Sequence, residues 1–202
     1  IEIIKSINYP DSIGLMYSAF TSYCGFRVNS GEYKLMGLAP YGEPTYYELI
    51  RDKVITLYDD GSYVLNMDYF EFSSDSVMYS HKLEKLLGFP PRKKESNIDE
   101  QYINLASSIQ AVTEDVVYGL AKHARRLTGL TNLVLSGGVA LNCVSNGKLM
   151  RSGLFDDIWV QPASGDAGNS LGASLYTSYS HFNITKNRHN NIQQWSYLGP
   201  EY

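Results

Sequence analysis

Two glycine-bearing turns hold the residues best suited to chemistry. The first is Ser136-Gly137-Gly138 in VLSGGVALN, where strand-like sequence gives way at once to helical spacing. Paired glycines at the mouth of a strand let the backbone turn sharply or pass close to a ligand. A helix beginning near Val139 would offer free amides and the positive end of its dipole, which suits a phosphate or another anion. Asn142, one turn further on, would reach the same ligand. A tight βα turn with no ligand accounts for the glycines equally well, and the spacing matches neither a P-loop nor a GxGxxG fingerprint. The second turn, Ser164-Gly165-Asp166-Ala167-Gly168, places a carboxylate between glycines. Asp166 there either caps the helix beginning near Ala167 or holds a cation. A third candidate is Gly31-Glu32-Tyr33-Lys34, where Glu32 suits ribose hydroxyls and Lys34 suits phosphate as a point charge. The alternative is a surface helix with ordinary charges. Asp156-Asp157 invites a paired-carboxylate reading, but neighbours entering a strand face opposite ways, which favours turn chemistry. The catalytic residues are unknown from spacing alone.

The elements that position these residues follow from periodicity. Ser12 caps a helix whose apolar residues repeat at helical spacing up to Gly25. A short helix opened by Asn29 or Ser30 and stopped by Gly37 and Pro40 comes next, then a helical turn over 45–51. KVITLY and SYVLNM flank Asp59-Asp60-Gly61 as a β-hairpin. Residues 52–97 read as this hairpin plus an irregular surface excursion with one short helix at His81–Leu87. From Ile98 through Tyr102, Leu105, Ile109, Val112, Val116, Leu120, Ala124 and Leu127, steps of three and four trace one apolar stripe. That predicts a long helix ended by Gly129. A strand at 132–135, the first glycine turn, a helix to about Ser152, a strand at 157–160, the second turn and another helix indicate an α/β fold. Parallel adjacent strands would bring both turns to their carboxyl ends, where open α/β sheets bind ligands.

Composition bounds the rest. The 202 residues are 44% hydrophobic with a net charge of −4, enough for a real core. No apolar run reaches the ~18–20 residues of a membrane span. With no secretory leader, cytoplasmic location is the expectation. Mild acidity argues against nucleic acid as a partner, and Arg92-Lys93-Lys94 reads as a solvated loop. Cys24 and Cys143 have no CxxC partner and are expected to be reduced and buried. The 17 tyrosines are scattered, which suits packing. Asn183-Ile184-Thr185 matches a glycosylation pattern by chance. IEIIKSI opens without methionine and YLGPEY stops abruptly, so the sequence is expected to be an excerpt of a longer chain.

LMYSAFTSYCGF, VNSGEYKLMGLAPYGEP, LSGGVALNCVSNGKL and GLFDDIWVQPASGDAGNSLGASLY resemble, in order and wording, carbamoyltransferases of the nodulation and antibiotic O-carbamoyltransferase type. The resemblance implies that residues 1–202 are the C-terminal half of a Kae1-like domain of the actin/sugar-kinase/Hsp70 fold, a layered mixed sheet with flanking helices. A missing N-terminal half and a YrdC-like domain of the same chain would be its partners. It implies chemistry in which ATP and carbamoyl phosphate give carbamoyladenylate, whose carbamoyl group passes to a small-molecule hydroxyl acceptor. By the same resemblance Ser136, Gly137, Gly138, Val139 and Asn142 bind nucleotide, and Gly31, Glu32 and Lys34 stand beside them as nucleotide-binding candidates from their own chemistry. Asp166 becomes a ligand to a divalent metal, iron in type, alongside two histidines in an HxxxH pair. No such pair occurs here. His81, His123, His181 and His189 are unmatched, so the excerpt alone is expected to be inactive. A kinase-like or tRNA-threonylcarbamoyl-type enzyme on the same fold, or a non-catalytic nucleotide-binding module, are the alternatives.

Overall fold

The Ser12 hydroxyl accepts from the Leu15 amide at 3.2 Å and starts α1 (Ile13–Tyr23), as expected of an N-cap serine. This is the first element of a computed structural model that describes residues 2–72, 77–182 and 184–185. The chain divides into two units, Ile1–Thr131 with Asn142–Asp156, and Asn132–Leu141 with Asp157–Tyr202. Asn183, His189 and the terminal YLGPEY lie outside the described residues.

In the first unit α1 leads through Gly25, at φ +76°, into α2 (Glu32–Leu38). The N-cap of α2 is Gly31 rather than Asn29 or Ser30, and the helix runs through Gly37. Asn29 instead takes a positive φ of 66° in the preceding turn. Gly31 is fixed by space, since a Cβ there would lie 2.6 Å from the Arg27 carbonyl oxygen. A 3-10 turn, Ala39–Tyr41, and α3 (Tyr47–Lys53) follow. The expected hairpin forms from β1 (Ile55–Leu57) and β2 (Tyr63–Leu65), antiparallel with Ile55 opposite Leu65. Next come α4 (His81–Leu87) and the 29-residue α5 (Glu100–Thr128). Gly129 closes α5 in the left-handed conformation, its amide donating to the Arg125 carbonyl at 3.0 Å. The last element of this unit is α6 (Cys143–Arg151).

The apolar stripe of α5 is buried from Tyr102 to Val116 and faces Met16, Phe20, Leu35, Ile50 and Leu83 in one core cluster. Each such side chain contributes about 1.5–3 kcal/mol on burial. The stripe runs out at its ends: Ile98 precedes the helix and Leu127 is exposed.

In the second unit β3 (Asn132–Leu135) and β4 (Asp157–Val160) pair in parallel, Asn132 opposite Asp157 and Leu135 opposite Val160. Each strand feeds a 3-10 turn, Gly138–Leu141 and Asp166–Gly168, and the second continues into α7 (Asn169–Ser180). Helices expected to begin near Val139 and Ala167 therefore start later, at Cys143 and Asn169, after one tighter turn each. The expected mixed sheet is not seen among the described residues. β1–β2 and β3–β4 are separate two-stranded sheets, because no strand bridges the antiparallel hairpin to the parallel pair.

Candidate functional site

Both glycine turns of the second unit lie at the same end of the β3–β4 pair. The Gly137 amide donates to the Ser164 carbonyl at 2.7 Å, tying one turn to the other. Leu141 closes the seam, its Cδ1 lying 3.6 Å from the place of a Cβ on Gly165. Gly137 adopts φ +102°, which only glycine holds without strain. Gly138 carries no such constraint, and a Cβ there would meet nothing within 4 Å. Turn geometry thus accounts for Gly137 but leaves Gly138 unexplained except by open space in front of it. The opening amides of the 3-10 turn, those of Gly138 and Val139, have no carbonyl within the turn to bond.

Asp166 does not cap a helix. The N-cap positions beside it are Gly165 and Gly168, neither with a side-chain bond, and Asp166 is exposed. Gly168 is fixed by its own turn, since a Cβ there would lie 2.0 Å from the Ala163 carbonyl oxygen. Among the described residues no three His, Cys, Asp or Glu side chains are grouped to hold a metal ion, so Asp166 belongs to no such cluster. His81 and His181 are exposed, and His123 stands beside Arg126 on α5, its Nδ1 3.0 Å from that guanidinium.

The remaining candidates belong to the first unit, where the side chains of Asn142 and Glu32 are already engaged. Asn142 caps α6, its Oδ1 accepting from the Ser145 amide at 3.0 Å. The same carboxamide pairs reciprocally with Gln110 at 3.1 and 3.0 Å. Tyr17 donates to Gln110 Oε1 at 3.0 Å, Gln110 donates to Glu114 at 3.0 Å, and Lys148 donates to Glu114 at 2.9 Å. Burial, reinforced by Cys24, Glu114 and Glu32, pushes the Tyr17 phenol well above its ordinary range. Gln110 and Glu114 also line a cavity of about 200 Å³ with Met36, Pro40, Pro44 and Val144. Glu32 accepts from the Ser18 hydroxyl at 2.7 Å and from the Asn29 and Gly31 amides at 2.9 and 3.1 Å. Lys34 is exposed.

Two side chains differ from expectation. Arg92 is buried rather than solvated: its Nε donates to the Cys24 carbonyl at 2.7 Å, a second nitrogen bonds the Ser96 carbonyl, and the guanidinium covers the Phe26 ring at 5.1 Å. Cys143, expected to be buried, is exposed at the first position of α6, its Sγ 3.9 Å from Met36 Sδ. Ser164 had no signal in the sequence beyond its place before Gly165, yet it is buried where the turns meet.

A family model described as the carbamoyltransferase N-terminus matches residues 1–175. The chain belongs to the carbamoyltransferase family. An uncharacterized protein of Synechocystis sp. is 50% identical over 197 residues, covering 97% of this chain and 32% of that protein. Nodulation protein NolO of Bradyrhizobium diazoefficiens is 39% identical over 178 residues, 87% of this chain and 30% of that protein. A further uncharacterized relative, from Methanocaldococcus jannaschii, is 30% identical over 174 residues, 85% of this chain and 26% of its own. This carbamoyltransferase-family chain therefore spans about a third or less of the length of these relatives. No helix among its described residues is long and apolar enough to cross a membrane.

Proposed function

We propose that this chain is part of a cytoplasmic O-carbamoyltransferase and cradles the phosphate of carbamoyladenylate while the carbamoyl group passes to a hydroxyl of a sugar-like or natural-product acceptor. The observation that carries the reading is the glycine turn, in which a Cβ on Gly138 would face open space and the opening amides have no carbonyl within the turn to bond. ATP and carbamoyl phosphate supply the adenylate, in a YrdC-like domain elsewhere in the same polypeptide. The second half of a Kae1-like domain is the fold this reading requires.

In the transfer step the acceptor oxygen bonds to the carbamoyl carbon, the bond from that carbon to the adenylate phosphate oxygen breaks, AMP leaves with the electron pair, and the hydroxyl proton passes to water. Negative charge grows on the departing phosphate. The Gly138 and Val139 amides, fixed before reaction, stabilise it in place of reorganising water. Ser136 and Gly137 shape this cradle, while Asn142, Gly31 and Glu32 hold the first-unit scaffold, with exposed Lys34 as a free positive charge. Among the described residues Asp166 is the ligand offered to a divalent metal such as iron. One carboxylate does not make a metal site, so the other ligands would come from outside these residues.

The test is Asp166→Asn in the full-length protein, with both half-reactions assayed. Carbamoyladenylate should still form, carbamoyl transfer and bound metal should fall sharply, and the melting temperature of metal-free protein should hold, because no cap is lost. Normal transfer with normal metal content would refute the assignment.

A further inference from the structure

Ser164 joins the two turns through its backbone, and its side chain is left over. The residue is 3% exposed and its Oγ has no hydrogen-bond partner. Within the second unit it is the one buried side-chain oxygen or nitrogen among the described residues in that condition. A hydroxyl carries one donor and two acceptor sites, and buried ones are almost always bonded, so an orphan needs an explanation. Packing does not supply one: an alanine would fill nearly the same volume without the unmet polar group. The location does supply one, since Ser164 receives the Gly137 amide and stands two residues before Asp166, beside amides that favour an anion.

We propose that Ser164 is a ligand-binding residue, its hydroxyl donating to an anionic oxygen held at the two turns. This rests on the proposed phosphate cradle and adds a side-chain donor to it. The hydroxyl is buried where the two turns meet, and a phosphate oxygen entering there supplies the missing partner in a charge-assisted bond.

The experiment compares full-length wild type with Ser164→Ala and Ser164→Cys, titrated calorimetrically with AMP and separately with inorganic phosphate, beside melting of the ligand-free proteins. Ser164→Ala should weaken both probes about ten- to hundred-fold, the range for a lost bond to a charged group. Its ligand-free melting temperature should stay level or rise, because an unpaired polar group has gone. Ser164→Cys, nearly isosteric with a weak donor, should fall between the two in affinity. Unchanged affinity in Ser164→Ala while wild type binds would overturn this inference and leave the cradle standing. A lowered ligand-free melting temperature in Ser164→Ala would also overturn it, by showing that the hydroxyl already has a partner. Weakening of AMP with phosphate unaffected would overturn the assignment to an anionic oxygen. Failure of wild type to bind either probe would overturn the cradle and this inference together.

Discussion

Gly137 and Gly138 are adjacent, yet their substitution should fail in different ways. A valine at Gly137 must adopt φ +102°, a conformation that costs of the order of 1–3 kcal/mol for a side-chain-bearing residue. The whole of that penalty falls on stability, whether or not a ligand ever binds. A valine at Gly138 meets no protein atom within 4 Å of its Cβ and no positive φ, so its stability cost should stay within about 0.5 kcal/mol. Its branched methyls instead fill the approach to the Gly138 and Val139 amides. Losing one charge-assisted bond of the pair weakens binding by about 1.5–3 kcal/mol, roughly ten- to hundred-fold. The assay is thermal melting plus AMP titration by calorimetry on full-length Gly137→Val and Gly138→Val. Near-native melting with weakened AMP binding in Gly138→Val supports the cradle. Native affinity in that variant would refute it and leave the turn purely structural.

Glu32→Ala should lower stability by about 2–4 kcal/mol, since three hydrogen bonds to one carboxylate are lost; stability unchanged with nucleotide binding abolished would restore the ribose role. Arg92→Lys keeps the charge but loses the fork that bonds two carbonyls, so a chemical denaturation midpoint clearly below wild type is expected. Burial pushes the Cys24 thiol up to about 12, with Arg92 opposing weakly, and raises the Tyr17 and Tyr23 phenols. These acids keep their protons in the folded state after the unfolded chain has lost them. Stability is therefore full below the unfolded thiol value near 9 and declines as pH rises toward 12, which melting at stepped alkaline pH will show. Thiol labelling at neutral pH should modify Cys143 alone until the protein unfolds.

What could be read from the sequence was local. Ser12, Gly61 and Gly129 specify their cap and turns through their own backbone chemistry, and each does in the structure what its type predicts. The parallel βα pair was legible for the same reason, as a short strand, a turn and helical spacing repeated. Contacts between distant residues were not legible. Tyr17 meets Gln110 across 93 positions and Arg92 meets Cys24 across 68, so nothing beside Arg92 in the chain marks it as buried. The site was half legible: glycine and aspartate types gave the turns, while the engagement of Asn142 and Glu32 depends on partners that only folding supplies. Ser164 was missed because serine before glycine is ordinary turn composition.

The state of the side chains separates the candidates by role. A group that meets a ligand must have bonding capacity left after folding, because a donor or acceptor already spent inside the protein gives a ligand nothing without losing what it had. Asn142 accepts at Oδ1 from both Gln110 and Ser145 and donates to Gln110, and Glu32 accepts three bonds. Removing either would disturb α6 or the entry to α2 before it disturbed any ligand. Gly138, Asp166 and Ser164 are the opposite case: an open approach, an exposed carboxylate free of any cap, and a buried hydroxyl without a partner. All three belong to the second unit and to the ends of β3 and β4. At the two turns a bound phosphate would give the Gly138 amide and the Ser164 hydroxyl partners that the folded chain does not, while the Asp166 carboxylate, which repels an anion, has capacity only for a cation.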